Sequence, residues 1–454
     1  MKFRSGTSVG TRQALHARVS AVTVRTYESV RNLELVALPS GARVSDLLHY
    51  YRSRADVQYA EPDYIVHTLS TPDDSFFPQQ WNLFNTGQNA GLRGADIGAT
   101  SAWNLSTGSQ NVAVAVIDSG IDYTHPDLQS NIWSAPSPFS TTVNSVNITC
   151  GAGVHGFNAI NGACDPMDDN GHGTHVSGII GAVGNNGMGV VGVNWQVQLI
   201  ACKFLDVNGN GQISDAITCL DYVAALKAQG INIVATNNSW GEGPYSQALT
   251  DAIQAQQQAG ILFITAAGND FGDNDSSPTY PASTVLPNVM SVAATTNTDA
   301  LANFSNVGRH TVHLGAPGQL VLSTLPGSSY GFDSGTSMAS PHVAGAAALL
   351  AAQNPNLDWR AIKNLLMAGG DVRSSLAATV SGNRLNVYGA MTCSGKTVAG
   401  RLQPATPAIA AGLGMPITLQ ALNISCSQPN GSVQVTVSPG GQAITLLDNG
   451  SGSD

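Results

Sequence analysis

From residue 75 to residue 392, short apolar runs alternate with longer segments of helical period. The runs are NVAVAVID (111–118), VQLIACKFLD (197–206), INIVATNNS (231–239), GILFITAAGN (260–269) and NVMSVAATT (288–296). Strands that are apolar along nearly their whole length suit a parallel sheet covered on both faces. Their alternation with helices predicts a doubly wound, mostly parallel α/β sheet. In such sheets function gathers outside the carboxyl ends of the strands. Asp118, Ser239 and Asn269 fall at the ends of three of these runs.

The pattern differs on either side. In residues 1–67, LELVALP (33–39) and VQYAEPDYIVH (57–67) read as strands around an amphipathic helix over 41–55, with MKF and AVTVRTY as further strand candidates. That predicts a small α+β domain. The Pro-containing stretch TLSTPDDSFFP (68–78) reads as a linker. After residue 392, SVQVTV and QAITLL alternate between Pro-Gly and Asn-Gly turns. These read as β-structure with too few strands to close a sandwich. Residues 393–454 are therefore expected to be the start of a C-terminal β-domain that runs on past the given sequence.

Composition narrows the class. Apolar residues make up 43% and charged residues 11%, with 49 glycines, which suits a compact, loop-rich exported protein. A net charge of −10 without a basic cluster argues against a nucleic-acid partner. No apolar run reaches the length of a bilayer span. The start, MKFRSGTSVG, lacks the apolar segment of a secretory leader. An exported precursor is the expectation, its leader not included here. Six cysteines fit no zinc spacing. Three local pairs, Cys150–Cys164, Cys202–Cys219 and Cys393–Cys426, are favoured over metal ligation or free thiols.

A nucleophilic serine needs a histidine base, and the histidine needs a carboxylate to orient it. Three blocks offer these groups: VAVIDSGIDYTHPDL with Asp118, DDNGHGTHVSGIIGAV with His172 and His175, and SGTSMASPHVAG with Ser337. Taken singly, each has a plain reading. An Asp after a strand caps a helix, and a Ser before a helix does the same. The two histidines lack a third ligand and an HExxH pattern, so zinc is set aside. Together, in the order Asp, His, Ser, they point to acyl-transfer chemistry.

The three blocks resemble those of the subtilisin-like serine peptidases, the subtilases, over about residues 72–391. The resemblance implies Ser337 as nucleophile, His172 as general base and acid, and Asp118 as its orienting carboxylate, with His175 structural. It implies Asn269 as side-chain donor of an oxyanion hole whose second donor is the Ser337 N–H. It further implies a peptide groove and P1 pocket walled by Ser239, Trp240 and Gly241 on one side and Ala266, Ala267 and Gly268 on the other, with Thr279 near the floor. Structural calcium is expected at Asp74, Asp127, Val183, Asn186, Met188 and Val190. The 183–190 loop is one residue longer than in the shortest subtilases, so Asn185 and Asn186 can exchange roles. Surface carboxylates and turn asparagines are the competing reading of that set. A second, weaker calcium site falls around Asp165, Asp168 and Asp169.

Residues 1–67 resemble the family's inhibitory propeptide, with cleavage expected between about Val66 and Ser75. The resulting expectation is a secreted, monomeric serine endopeptidase made as an autoprocessed zymogen. It would act on protein or peptide substrates and be held inactive by its own propeptide. Two rivals remain. A catalytically dead adhesion module would have no need of the full residue set. An α/β-hydrolase would carry G-x-S-x-G and the order Ser, Asp, His.

Overall fold

The computed structural model describes residues 1–39, 41–63, 71–143, 146–241, 243–403, 419–426, 432–438 and 440–447. The chain divides into two compact units, Met1–Thr68 and Leu69–Asp454.

The first unit runs β1 (Lys2–Phe3), α1 (Val9–Ala17), β2 (Val22–Thr26), β3 (Glu34–Ala37), α2 (Val44–Arg52) and β4 (Val57–Tyr59). β1 pairs antiparallel with β4, and β2 with β3. Phe3, Leu15, Leu47, Tyr51 and Val57 form its core. Two sequence expectations change here. Helix α1 was not anticipated, although Ser8 caps it by accepting the Thr11 N–H at 3.1 Å. The strand expected over 57–67 is short: β4 ends at Tyr59, and Pro62, which has no N–H, cannot extend a ladder. Residues 64–67 of that expectation lie outside the described residues, as do residues 66–70 of the expected cleavage window.

In the second unit a short helix α3 (Ala99–Ala102) precedes β5 (Gly108–Asp118). A hairpin, β6 (Phe139–Val143) and β7 (Val146–Cys150), and β8 (Gly156–Asn158) follow. Next come α4 (His172–Gly181), β9 (Gln196–Lys203), α5 (Ile213–Ala228), β10 (Ile233–Asn238), α6 (Gln247–Gln258), β11 (Leu262–Ala266), β12 (Val289–Thr295) and β13 (Leu314–Pro317). The hairpin β14 (Val321–Leu325) and β15 (Ser329–Asp333) leads into α7 (Thr336–Gln353) and α8 (Trp359–Gly369). Short strands β16 (Asp371–Val372) and β17 (Asn383–Arg384) and helix α9 (Val387–Met391) complete this part.

One sheet has the order β16-β17-β13-β12-β11-β10-β5-β9-β8. All its pairings are parallel except β16–β17. β5 shows why the sheet is covered on both sides. Val112, Val114 and Val116 enter a core with α4 and α7, whereas Ala113, Ala115 and Ile117 enter a second core with α5 and α6. Period-two alternation sends successive side chains to opposite faces, and both sets here are apolar. The doubly wound α/β expectation holds. From β5 the order proceeds to β9 on one side and β10 on the other, so the switch of direction lies at the end of β5, where Asp118 sits.

The three expected disulfides are formed. Cys202–Cys219 ties β9 to α5. The stretch expected to be a linker is partly core. Asp74 and Phe77 are buried, because the Phe76 N–H reaches the Gly189 carbonyl and Asp74 accepts the Asn185 N–H. Beyond Cys393, two hairpins are described, β18 (Thr397–Gln403) with β19 (Gln420–Ser425) and β20 (Ser432–Val437) with β21 (Gln442–Leu447). Ile424 of β19 joins the main core. No helix among the described residues is long and apolar enough to cross a membrane.

Candidate active site

Asp118 closes β5 and is fully buried. Its Oδ1 accepts the His172 Nδ1–H at 2.8 Å and the Ser119 backbone N–H at 2.8 Å. Its Oδ2 is buried without a partner among the described residues. His172 opens α4, with a side chain 25% exposed. Burial alone would lower the affinity of its imidazole for a proton. The charge and hydrogen bond of Asp118, helped by Asp333 and Asp168, outweigh burial and lift His172 from 6.5 to about 9. With Nδ1–H given to Asp118, Nε2 is the nitrogen left to take a proton. His175, one turn on, is buried and hydrogen-bonds the Gly331 carbonyl at 3.1 Å.

Ser337 is the second residue of α7. Its hydroxyl donates to the Ser239 carbonyl at 3.1 Å, and the Ser239 hydroxyl donates to the Ser337 carbonyl at 2.8 Å. The second bond has a sequence cause. Pro341 has no N–H, so the Ser337 carbonyl lacks the donor four residues on that a helix normally supplies. Ser239, at the end of β10, fills the gap.

Asn269 follows β11. Its Oδ1 accepts from the Thr336 N–H at 2.8 Å and from the Thr336 hydroxyl at 3.0 Å, which fixes the amide with Nδ2 turned the other way. A methyl placed on Gly335 would lie 3.5 Å from the Ser337 nitrogen and 3.6 Å from Asn269 Nδ2. Two donors therefore flank a small space beside the serine, the arrangement that holds a developing oxyanion. Thr336 was not singled out from sequence. Its signal was its place next to the serine with a hydroxyl able to orient an amide.

The groove residues meet at Thr279. Its Cγ2 lies 4.0 Å from where a Cβ on Gly241 would stand and 3.4 Å from where one on Gly268 would stand. Gly241 and Gly268 thus both approach the Thr279 methyl. Gly268 has φ +109°, which favours glycine, and a side chain there would also meet Asn306. Ala267 is fully buried and Ala266 nearly so, and Trp240 packs edge-on to Phe204.

Around the 183–190 loop, two buried carboxylates approach. Asp74 Oδ2 accepts the Asn185 N–H at 2.7 Å, and its Oδ1 is buried without a partner. Burial, then the charge of Asp127, raise Asp74 to about 6. Asp127 accepts from Asn186 Nδ2 at 2.7 Å and the Val190 N–H at 2.9 Å, and burial raises it too. The Asn186 side chain, not that of Asn185, faces Asp127. Among the described residues, the Val183, Met188 and Val190 carbonyls accept no hydrogen bond. An orphaned carboxylate oxygen beside a second acid and free carbonyls fits a hard cation. No three His, Cys, Asp or Glu side chains converge among the described residues, so amide and carbonyl oxygens must complete any such shell.

The second calcium expectation is corrected. Asp168 is saturated: it accepts from Ser119 Oγ, the Asn170, Gly171 and Thr174 N–H groups and Thr174 Oγ1. Asp169 pairs with Lys203, and Asp165 with the Tyr123 hydroxyl. The three carboxylates turn to different partners and leave no shared shell.

The profile of the subtilase family matches residues 109–387. The "Thermophilic serine proteinase" of Bacillus sp. (strain AK1) is 36% identical over 338 residues, 74% of this chain and 73% of that protein. "Subtilisin-like protease 1" of Plasmodium falciparum is 38% identical over 277 residues, and the match spans 39% of its length. Among solved structures, proteases from Pseudoalteromonas arctica align with a TM-score of 0.58 at 28% identity, over 71% of this chain and 99% of theirs. A cold-adapted subtilisin-like serine proteinase aligns with a TM-score of 0.50 at 31% identity, over 61% of this chain and 88% of its own. With a family match over residues 109–387, from β5 to the start of α9, this chain belongs to the subtilase family.

Proposed function

We propose that this subtilase is a secreted serine endopeptidase, made as a zymogen that processes itself and stabilised by calcium. The observation that carries the reading is the Asp118–His172 bond together with the paired donors beside Ser337. The Ser337 hydroxyl turns from the Ser239 carbonyl to His172 Nε2 and attacks a peptide carbonyl. His172 takes the proton, and Asp118 holds the resulting imidazolium. The Ser337 N–H and Asn269 Nδ2 receive the oxyanion. His172 then returns its proton to the leaving amine, and water repeats the sequence on the acyl-enzyme. An extended peptide adds as a strand beside Ser239–Gly241 and Ala266–Gly268. Gly241 and Gly268 leave the P1 pocket walls without side chains, and the β-branched Thr279 restricts its depth.

Calcium, when bound, would supply charge that ties the N-terminal edge of the unit to the 183–190 loop. Asp74, Asp127, Asn186 and the carbonyls of Val183, Met188 and Val190 would hold it. Residues 1–67 act as the inhibitory propeptide, a compact unit of their own. The catalytic unit is a monomer, and its substrates are proteins or peptides. Intact mass of the purified chain beside Ser337→Ala tests the reading. Loss of a piece ending near residues 66–75 in the parent alone supports it. Two whole chains, with no labelling by a fluorophosphonate, overturn it.

A further inference from the structure

The helix that presents His172 begins without help from its own N-cap. Gly171 occupies that position, with φ +110° and no side chain. The four N–H groups at such a start, Gly171 to Thr174, have no partner within the helix, and Asp168 Oδ1 accepts that of Gly171 at 2.9 Å. Each is met here by a side chain from outside it. Asn170 Oδ1 accepts the His172 N–H at 3.1 Å. Ser119 Oγ accepts the Gly173 N–H at 2.9 Å. Asp168 Oδ2 accepts the Thr174 N–H at 2.9 Å and its hydroxyl at 2.6 Å.

Two of these acceptors are linked to each other and to the orienting acid. Ser119 Oγ donates to Asp168 Oδ1 at 2.9 Å while accepting from Gly173. The backbone N–H of the same Ser119 donates to Asp118 Oδ1, the oxygen that receives His172. The Ser119 carbonyl accepts from Lys203 Nζ at 2.8 Å, and Lys203 also reaches Asp169 and the Leu205 carbonyl. Ser119 is therefore held at its N–H, carbonyl and hydroxyl. The two backbones approach closely, since a Cβ on Gly173 would stand 2.0 Å from the Gly120 carbonyl oxygen. Asp168 is 6% exposed and receives five hydrogen bonds. A buried carboxylate survives only when so paired.

We infer that Asp168 is a positioning residue that, through Ser119, clamps the end of β5 to the first turn of α4 and thereby sets the bond between Asp118 and His172. The inference rests on the serine-peptidase reading above. Asp168 touches neither substrate nor reacting atoms. It fixes the relative place of two elements that each carry one partner of a bond. It acts beside the β9 ladder that reaches Asp118 and the bond from the Asp122 N–H to Thr174 Oγ1 at 2.9 Å.

The test is Asp168→Asn in the full chain, with Asp165→Asn as a control that removes the same charge from the same loop. An amide keeps the volume but offers one acceptor oxygen where five donors converge. With active sites counted by a fluorophosphonate, kcat per site falls by about tenfold to a hundredfold while KM for a short amide substrate stays within about twofold. In chains also carrying Ser337→Ala, the low-field His172 Nδ1–H resonance moves or is lost with Asp168→Asn and stays in place with Asp165→Asn. A role confined to stability would lower the melting temperature and move neither readout. An unmoved resonance, or kcat per site within about twofold of the parent, overturns the inference. If Asp168→Asn does not fold, Ser119→Ala breaks the same link from the strand side and is judged by the same two readouts. If the parent hydrolyses nothing, the serine-peptidase reading fails, while the resonance in the Ser337→Ala chains still decides the clamp.

Discussion

Asp118→Asn separates two effects that act on His172 in opposite directions. Burial disfavours the imidazolium, and Asp118 favours it by charge and by a 2.8 Å hydrogen bond. The net result is a lift from 6.5 to about 9. That lift corresponds to about 3 kcal/mol, or roughly 300-fold. Asp118 is the largest of the raising influences, ahead of Asp333 and Asp168, and together they overcome burial. Asparagine retains the ring orientation, because the Ser119 N–H holds Oδ1 where His172 needs an acceptor. Asp118 Oδ2 receives no hydrogen bond among the described residues, so an amide nitrogen in its place breaks none. The loss is therefore one of charge stabilisation rather than of tautomer.

The assay is kcat/KM against pH for a short amide substrate, with active sites titrated. In the parent, neutral His172 is the minority form until pH approaches about 9, so activity climbs through an alkaline limb. In Asp118→Asn the limb moves to lower pH, because burial remains and the largest raising charge is gone. At pH 10, where His172 is neutral in both chains, the variant is slower by roughly 300-fold. The same pair gives a stability signature. A histidine raised on folding stabilises fully below its unfolded value near 6.5, and that stabilisation is lost as pH rises through about 9. A loss under about tenfold at pH 10, or a limb that stays where it was, would refute the reasoning.

Three further outcomes are expected. Asn269→Ala removes one oxyanion donor, so kcat drops by about 10²–10³ with KM nearly unchanged; a KM effect alone would place Asn269 in ground-state binding. Asp74→Asn should lower the melting temperature in calcium yet be neutral or stabilising after EDTA, since it removes a buried charge whose Oδ1 has no partner; one sign in both conditions would count against the site. Replacing Cys202 and Cys219 together by alanine, which opens a crosslink with a sequence separation of 17, costs about 3 kcal/mol, read as a lower guanidinium midpoint. An unchanged midpoint would show that β9 and α5 hold together without it.

The sheet and the positions of its functional ends were legible because their cause is local. The run NVAVAVID carries its two-faced apolarity in eight adjacent letters, and Asp118 is where that run stops. The short strand β4, the buried Asp74 and the partners of Asp168 were not legible in the same way. Each depends on a group far along the chain. Asp74 is fixed by the Asn185 N–H, and Asp168 by Ser119 on one side and Thr174 on the other. Three nearby acids in sequence suggested a cation shell. The fold instead spends Asp168 on capping a helix start, a role visible only once the end of β5 lies beside it.

The small residues that follow Ser337 have a physical cause of the same kind. Helix α7 lies across β5, β10, β11 and β12 and against α4, and it is buried along nearly all its length. A Cβ on Gly345 would already stand 2.8 Å from Val193. Such a helix cannot tilt to accommodate a larger side chain, so its first turn is held by packing on every side but that of Ser337. Pro341 uses that rigidity. Taking one N–H out of the first turns leaves the Ser337 carbonyl for Ser239, and the exchange of hydrogen bonds between the two serines ties the start of α7 to the end of β10. In a helix free to bend, the missing bond would open a kink. Enclosed here between sheet and helix, it becomes a joint between the nucleophile and the wall of the proposed substrate groove.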